Sequence, residues 1–177
     1  MIVRRVACGI AVTASMFVFV NGAAADKLSD LQKHFDHENN PVHRAKLVEK
    51  LGDEEFEIAR QAFKKNDFVT VGTVFEKYRD NVRAALQGLK KKHPDAERDS
   101  DGYRQLEINT RRGIREVDEV LLMAPEAIRP PLQIVRGDLD AMDREMIGML
   151  FRHPGDQPIP AGKPAPAATA TAPEVKP

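Results

Sequence analysis

The chain has 177 residues with 27 basic and 27 acidic side chains, so it projects no long-range field suited to DNA, RNA or an anionic membrane. Its one cysteine, Cys8, excludes an internal disulfide and leaves little room for thiol chemistry or a thiolate metal site. With no tryptophan and two tyrosines, the chain also lacks the aromatic platforms on which nucleic-acid bases stack.

Residues 1–25 read as a cleaved signal peptide. Arg4 and Arg5 give a basic start, Val6 to Val20 form the apolar stretch, and Ala23-Ala24-Ala25 supply small residues ahead of Asp26. That stretch falls short of the roughly 20 apolar residues a membrane-spanning helix needs, and no basic stop-transfer flank follows it. Cleavage removes Cys8, Arg4 and Arg5 and leaves 25 basic against 27 acidic side chains. The expectation is a periplasmic or secreted protein with no membrane span after cleavage, no nucleotide supply and no thiol.

Residues 26–153 are expected to form one helical domain. Leu28, Leu31 and Phe35 mark a first short helix. Asn40-Pro41 reads as an N-cap with proline at the first helical position, and Val42, Ala45, Val48 and Leu51 as a second short helix that Gly52 ends. Asp53-Glu54-Glu55 then suits the start of a third, carried by Phe56, Ala59 and Phe63 until Asn66-Asp67 breaks it.

Three longer stripes follow at steps of three and four. The first is Val71, Phe75, Tyr78, Val82, Ala85, Leu86 and Leu89, closed by Lys90, Lys91 and Lys92 and by His93-Pro94. The second is Tyr103, Leu106, Thr110, Ile114, Val117 and Leu121, where Thr110 and Gly113 mark either a close crossing or a weak layer. The third is Leu132, Val135, Leu139, Met142, Met146, Met149 and Leu150. The charged connection from Asp95 to Gly102 reads as turn-like, exposed and mobile, with a helical start inside it as the alternative, and Ala124-Pro125 with Arg129-Pro130-Pro131 bracket a short link. No segment alternates apolar and polar residues as a strand does. The fold class is therefore all-α: an antiparallel bundle of three long amphipathic helices with two or three shorter N-terminal helices packed on it. Residues 154–177, rich in proline and alanine, read as a disordered tail.

The chemistry the sequence offers is sparse. Ser29 and Ser100, the only serines after the signal, sit in neither a nucleophile elbow nor an S-x-x-K pair. There is no phosphate-cradling glycine loop and no H-E-x-x-H helix. The acids lie among arginines and lysines at helical spacing, as a solvated, ion-paired face does. His34 and His37 share a helix face beside Asp36 and Glu38, and His43 follows the Asn40-Pro41 corner. Imidazoles with a carboxylate suit Zn²⁺, Cu²⁺ or Ni²⁺, so His34, His37 and His43 are the candidate metal ligands. Met142, Met146 and Met149 read as core filler rather than a soft Cu(I) site.

Leu28-Ser29-Asp30-Leu31-Gln32 resembles the L-T-x-x-Q signature of small periplasmic helical proteins that include envelope-stress chaperones and heavy-metal sensors, with serine in place of threonine and no second copy. That resemblance implies an exported, all-helical protein in which His34 and His37 bear on metal. Ala62 to Phe68 followed by Phe75-Glu76-Lys77 resembles the turn of a tetratricopeptide hairpin, with Val71 and Tyr78 where that hairpin has small residues. Each covers less than a fifth of the chain, and neither is taken as membership. The function expected is that of an exported, non-enzymatic helical protein, without cofactor, acting by protein–protein interaction or structural packing. Its partner would be a protein of the cell envelope or a second copy of itself. The alternative is a metal-responsive or chaperone-like periplasmic protein using the N-terminal histidines.

Overall fold

The structure, a computed structural model, describes residues 22–151. Residues 1–21 of the expected signal peptide and the expected tail, 154–177, lie outside the described residues. Five α-helices and one 3-10 turn make up the described chain: α1 (Gly22–His37), α2 (Pro41–Lys64), α3 (Phe68–Lys92), α4 (Ser100–Met123), the turn Glu126–Ile128, and α5 (Arg129–Leu150). No strand occurs among the described residues.

The Asn40-Pro41 corner forms as its residue types dictate. The Asn40 side chain accepts from the backbone N–H of Val42 at 2.9 Å and of His43 at 3.2 Å, satisfying two of the donors that a helix start leaves open. The structure differs from expectation at Gly52. It does not end a helix: α2 runs unbroken through it, and the two short helices drawn from the sequence are one. A Cβ on Gly52 would lie 3.1 Å from the Tyr78 ring and 3.2 Å from the Phe56 ring. Glycine is there to let α3 approach α2, and Asp53-Glu54-Glu55 is mid-helix. Four long helices and one shorter one thus replace the expected three and two or three.

The α2–α3 turn is a Schellman ending. Asn66 takes the left-handed conformation at φ 58°, Asp67 N–H donates to the Ala62 carbonyl at 2.9 Å, and Asn66 N–H donates to that of Phe63 at 3.0 Å. Asp67 then caps α3 by accepting from Thr70 N–H at 3.1 Å. α4 starts at Ser100, so of the two readings of the Asp95–Gly102 segment the structure has the one with a helical start inside it. Asp95, Glu97, Arg98, Asp99 and Asp101 of that connection are exposed, but Ala96 is buried and the Tyr103 hydroxyl donates to the His93 carbonyl at 2.8 Å, which docks the link onto the bundle.

α2 and α3 form one antiparallel hairpin, and α4 and α5 another. Cross-helix pairs fix how the hairpins meet. Gln105 to Glu49, Arg112 to Asp53 and Arg60 to Glu116 tie α2 to α4 running in the same direction. Arg83 to Asp138 and Lys90 to Glu145 tie α3 to α5 likewise. The three long stripes and that of α2 meet in one core, with Val48, Leu51, Phe56, Phe75, Tyr78, Tyr103, Leu106, Leu132, Leu139 and Met146 almost wholly removed from solvent. At its centre α4 crosses α3 closely. A Cβ on Gly113 would overlap the Tyr78 ring, 2.9 Å from Cζ, and the Tyr78 hydroxyl donates to the Asn109 carbonyl at 2.6 Å. The close-crossing reading of Gly113 is therefore the one the structure has. α1 lies across α2 with Phe35 buried against the core. No helix among the described residues is long and apolar enough to cross a membrane.

Candidate functional site

The C-terminal halves of α2 and α4 do not close on each other. Between them lies a cleft of about 510 Å³ lined by Arg60, Phe63 and Lys64 from α2 and by Glu116, Glu119, Val120 and Met123 from α4. Its apolar residues are Phe63, Val120 and Met123, and Met123 is 66 % exposed. The walls carry opposite charge: arginine and lysine on α2, two glutamates on α4. Arg60 and Glu116 join across the cleft at 2.8 Å, whereas neither Lys64, whose charge reaches Glu57 only at longer range, nor Glu119 makes an ion pair within 4 Å among the described residues. The sequence reading missed this cleft. Its one signal was the run Leu121-Leu122-Met123, which carries more apolar residues than one stripe can bury, and Leu122 is exposed along with Met123.

A second feature lies where α1 crosses α2 and α3. Glu55 is fully buried, and its Oε1 accepts from Asn81 Nδ2 at 3.2 Å. Asn81 and Gln32 exchange hydrogen bonds at 3.2 Å in each direction, so a polar chain runs from the core to α1. Glu55 Oε2 has no hydrogen-bond partner among the described residues. Burial raises the Glu55 carboxyl to about 8, against the opposing pull of the Lys77 charge and the Asn81 amide. The acid is thus mostly protonated at neutral pH. Gln32 and Lys77 also line a shallow cleft of about 330 Å³ with Leu28, Ser29 and Ile58.

The candidate ligands His34, His37 and His43 are all exposed. His37 Nδ1 turns back to the Lys33 carbonyl at 2.7 Å. His43 Nδ1 stands 3.9 Å from Glu38 Oε2. The Glu38 carboxyl is held below its ordinary value first by the Asn40 backbone N–H and, more weakly, by the charges of His43 and His34. Only His43 stands within ion-pair distance of Glu38, and His37 is turned to the Lys33 carbonyl. Among the described residues, no group of three or more histidine, cysteine, aspartate or glutamate side chains is arranged to hold a metal ion. Met142 and Met146 are buried in the core with Met149 packed on it.

Comparison with family models, with curated proteins and with solved structures finds no match for this chain.

Proposed function

We propose that this chain is an exported, non-enzymatic helical protein that acts by docking a protein partner in the cleft between the C-terminal halves of α2 and α4. The observation that carries the reading is Met123. It is a long, adaptable apolar side chain, two-thirds exposed, beside Phe63 and Val120 and flanked by charged walls. An apolar centre inside a polar rim is the usual composition of a protein-binding patch, and methionine repacks readily against varied surfaces. Nearer the helix starts Arg112 of α4 pairs with Asp53 of α2, and Gln105 donates to Glu49.

A photo-crosslinking side chain placed at position 123 in the exported chain tests the reading, with Lys46, exposed nearer the start of α2, as the control position. The expected result is a discrete adduct from position 123 and none from position 46. Indistinguishable labelling from the two positions would sink the proposal.

A further inference from the structure

We infer that the occupant of the α2–α4 cleft is a second copy of this chain, related by a two-fold axis that runs along the cleft. The inference rests on the docking reading above and names its partner. α2 and α4 point the same way, as the pairs Arg60–Glu116 and Arg112–Asp53 require. A two-fold axis along their common direction keeps each residue at its height and exchanges the walls. The basic wall of one copy then faces the acidic wall of the other. A two-fold axis across the cleft would instead set lysine on lysine and glutamate on glutamate.

The heights agree with the first arrangement. Arg60 and Glu116 are level, since they touch at 2.8 Å. Lys64 stands four residues beyond Arg60 and Glu119 three beyond Glu116, so at about 1.5 Å per residue they lie within roughly 2 Å of the same level. Lys64 therefore meets the partner's Glu119, and Glu119 meets the partner's Lys64. These are the two charges of the cleft without an ion pair inside the copy, and one isologous contact satisfies both of them twice. Phe63 and Val120, also level, bring the apolar strip of each copy against that of the other, with Met123 at its edge. The patch is small beside a permanent dimer interface, so the association is reversible and concentration-dependent.

Sedimentation of the purified exported chain from micromolar to millimolar concentration tests this. Wild type is expected to pass from monomer to dimer, more weakly at high salt because the pairs lie on the rim. Met123→Asp should remain monomeric with an unchanged helical spectrum, since that side chain is largely outside the core. Lys64→Glu sets like charges together twice and should raise the dissociation constant by about tenfold. The double exchange Lys64→Glu/Glu119→Lys should restore it, because both walls belong to the same chain. A monomer at every concentration, or a dimer indifferent to Met123→Asp, overturns the inference. If the chain stays monomeric while position 123 crosslinks a protein of different mass, self-association falls and the docking reading stands. If neither occurs, both fall.

Discussion

Glu55 is the residue whose chemistry departs most from its surroundings. It occupies the apolar stripe of α2, between Leu51 and Ala59, where every neighbour on that line is hydrophobic and buried. In the unfolded chain its carboxyl titrates near 4.5, and in the fold near 8. Below about pH 4.5 both states hold the proton and stability does not change with pH through this group. Between about 4.5 and 8 only the folded state holds it, so stability falls by about 1.4 kcal/mol per pH unit, and the loss is complete above 8. Glu55→Gln keeps an oxygen for Asn81 and removes the titration. Thermal melts at a series of pH values should show a wild-type midpoint that declines from pH 5 to 8 and a flatter variant, higher at the alkaline end. A wild-type midpoint constant over that interval would contradict a buried, protonated acid. The glycines give a second contrast at this scale. Gly113→Ala forces a methyl into the Tyr78 ring, which its bond to the Asn109 carbonyl holds in place, and should cost about 1–3 kcal/mol. Gly137→Ala, with nothing within 4 Å, should instead stabilise α5 by up to about 1 kcal/mol. Urea unfolding of the two variants reads both signs.

At the scale of elements, the corners were the most legible part of the sequence and Gly52 the least. Asn40-Pro41 and Asn66-Asp67 carry side chains that hydrogen-bond their own backbone, a local effect that neighbouring residues reveal. The role of Gly52 is set by Tyr78, 26 positions away, and local sequence cannot distinguish a glycine that ends a helix from one that admits another. Ala96 was hidden for the same reason: a lone alanine among charges gives no stripe, yet it anchors the α3–α4 link. Glu55 was hidden with Gly52: once that glycine is read as a helix end, Glu55 becomes an acid at a helix start, and its place on a buried stripe emerges only when α2 runs through. The Schellman turn yields a prediction of its own. Asn66→Ala places a Cβ-bearing residue without a local hydrogen-bonding side chain at φ 58°, and should lower stability by about 1 kcal/mol in chemical denaturation. Asn66→Gly should be neutral or slightly stabilising. The Asn40 corner bears on metal in the same way. It sets His43 beside Glu38 while His37 is drawn to the Lys33 carbonyl. Calorimetry with Zn²⁺, Cu²⁺ or Ni²⁺ should therefore find only the weak binding of surface imidazoles. Submicromolar affinity that vanishes in His34→Ala/His37→Ala would restore the metal-responsive reading.

For the whole molecule, amphipathic stripes declare that helices pack but not which packs on which. Stripe width alone does not choose a partner; the pairing here is set by the close approach of Tyr78 to Gly52 and Gly113, with ion pairs at the flanks such as Arg83 with Asp138 and Arg111 with Asp143. The same argument bounds the domain at its C-terminal end. Leu150 is the last buried residue of the α5 stripe, and the helix closes with the Phe151 N–H donating to the Ile147 carbonyl at 3.0 Å. Residues 154–177, outside the described residues, contain only Ile159 and Val175 as larger apolar side chains, which is what the expectation of a disordered tail rests on. Their removal should leave the midpoint and cooperativity of thermal unfolding unchanged, and limited proteolysis should trim the intact chain to a fragment ending shortly after α5. The cleft between α2 and α4 opens at the end of the bundle opposite Leu150, so monomer–dimer behaviour should survive the deletion as well. A lower midpoint in the shortened chain would mean that the tail packs on the bundle. A tighter dimer would mean that the tail competes for the cleft, which would make a segment of this chain the occupant in the isolated molecule.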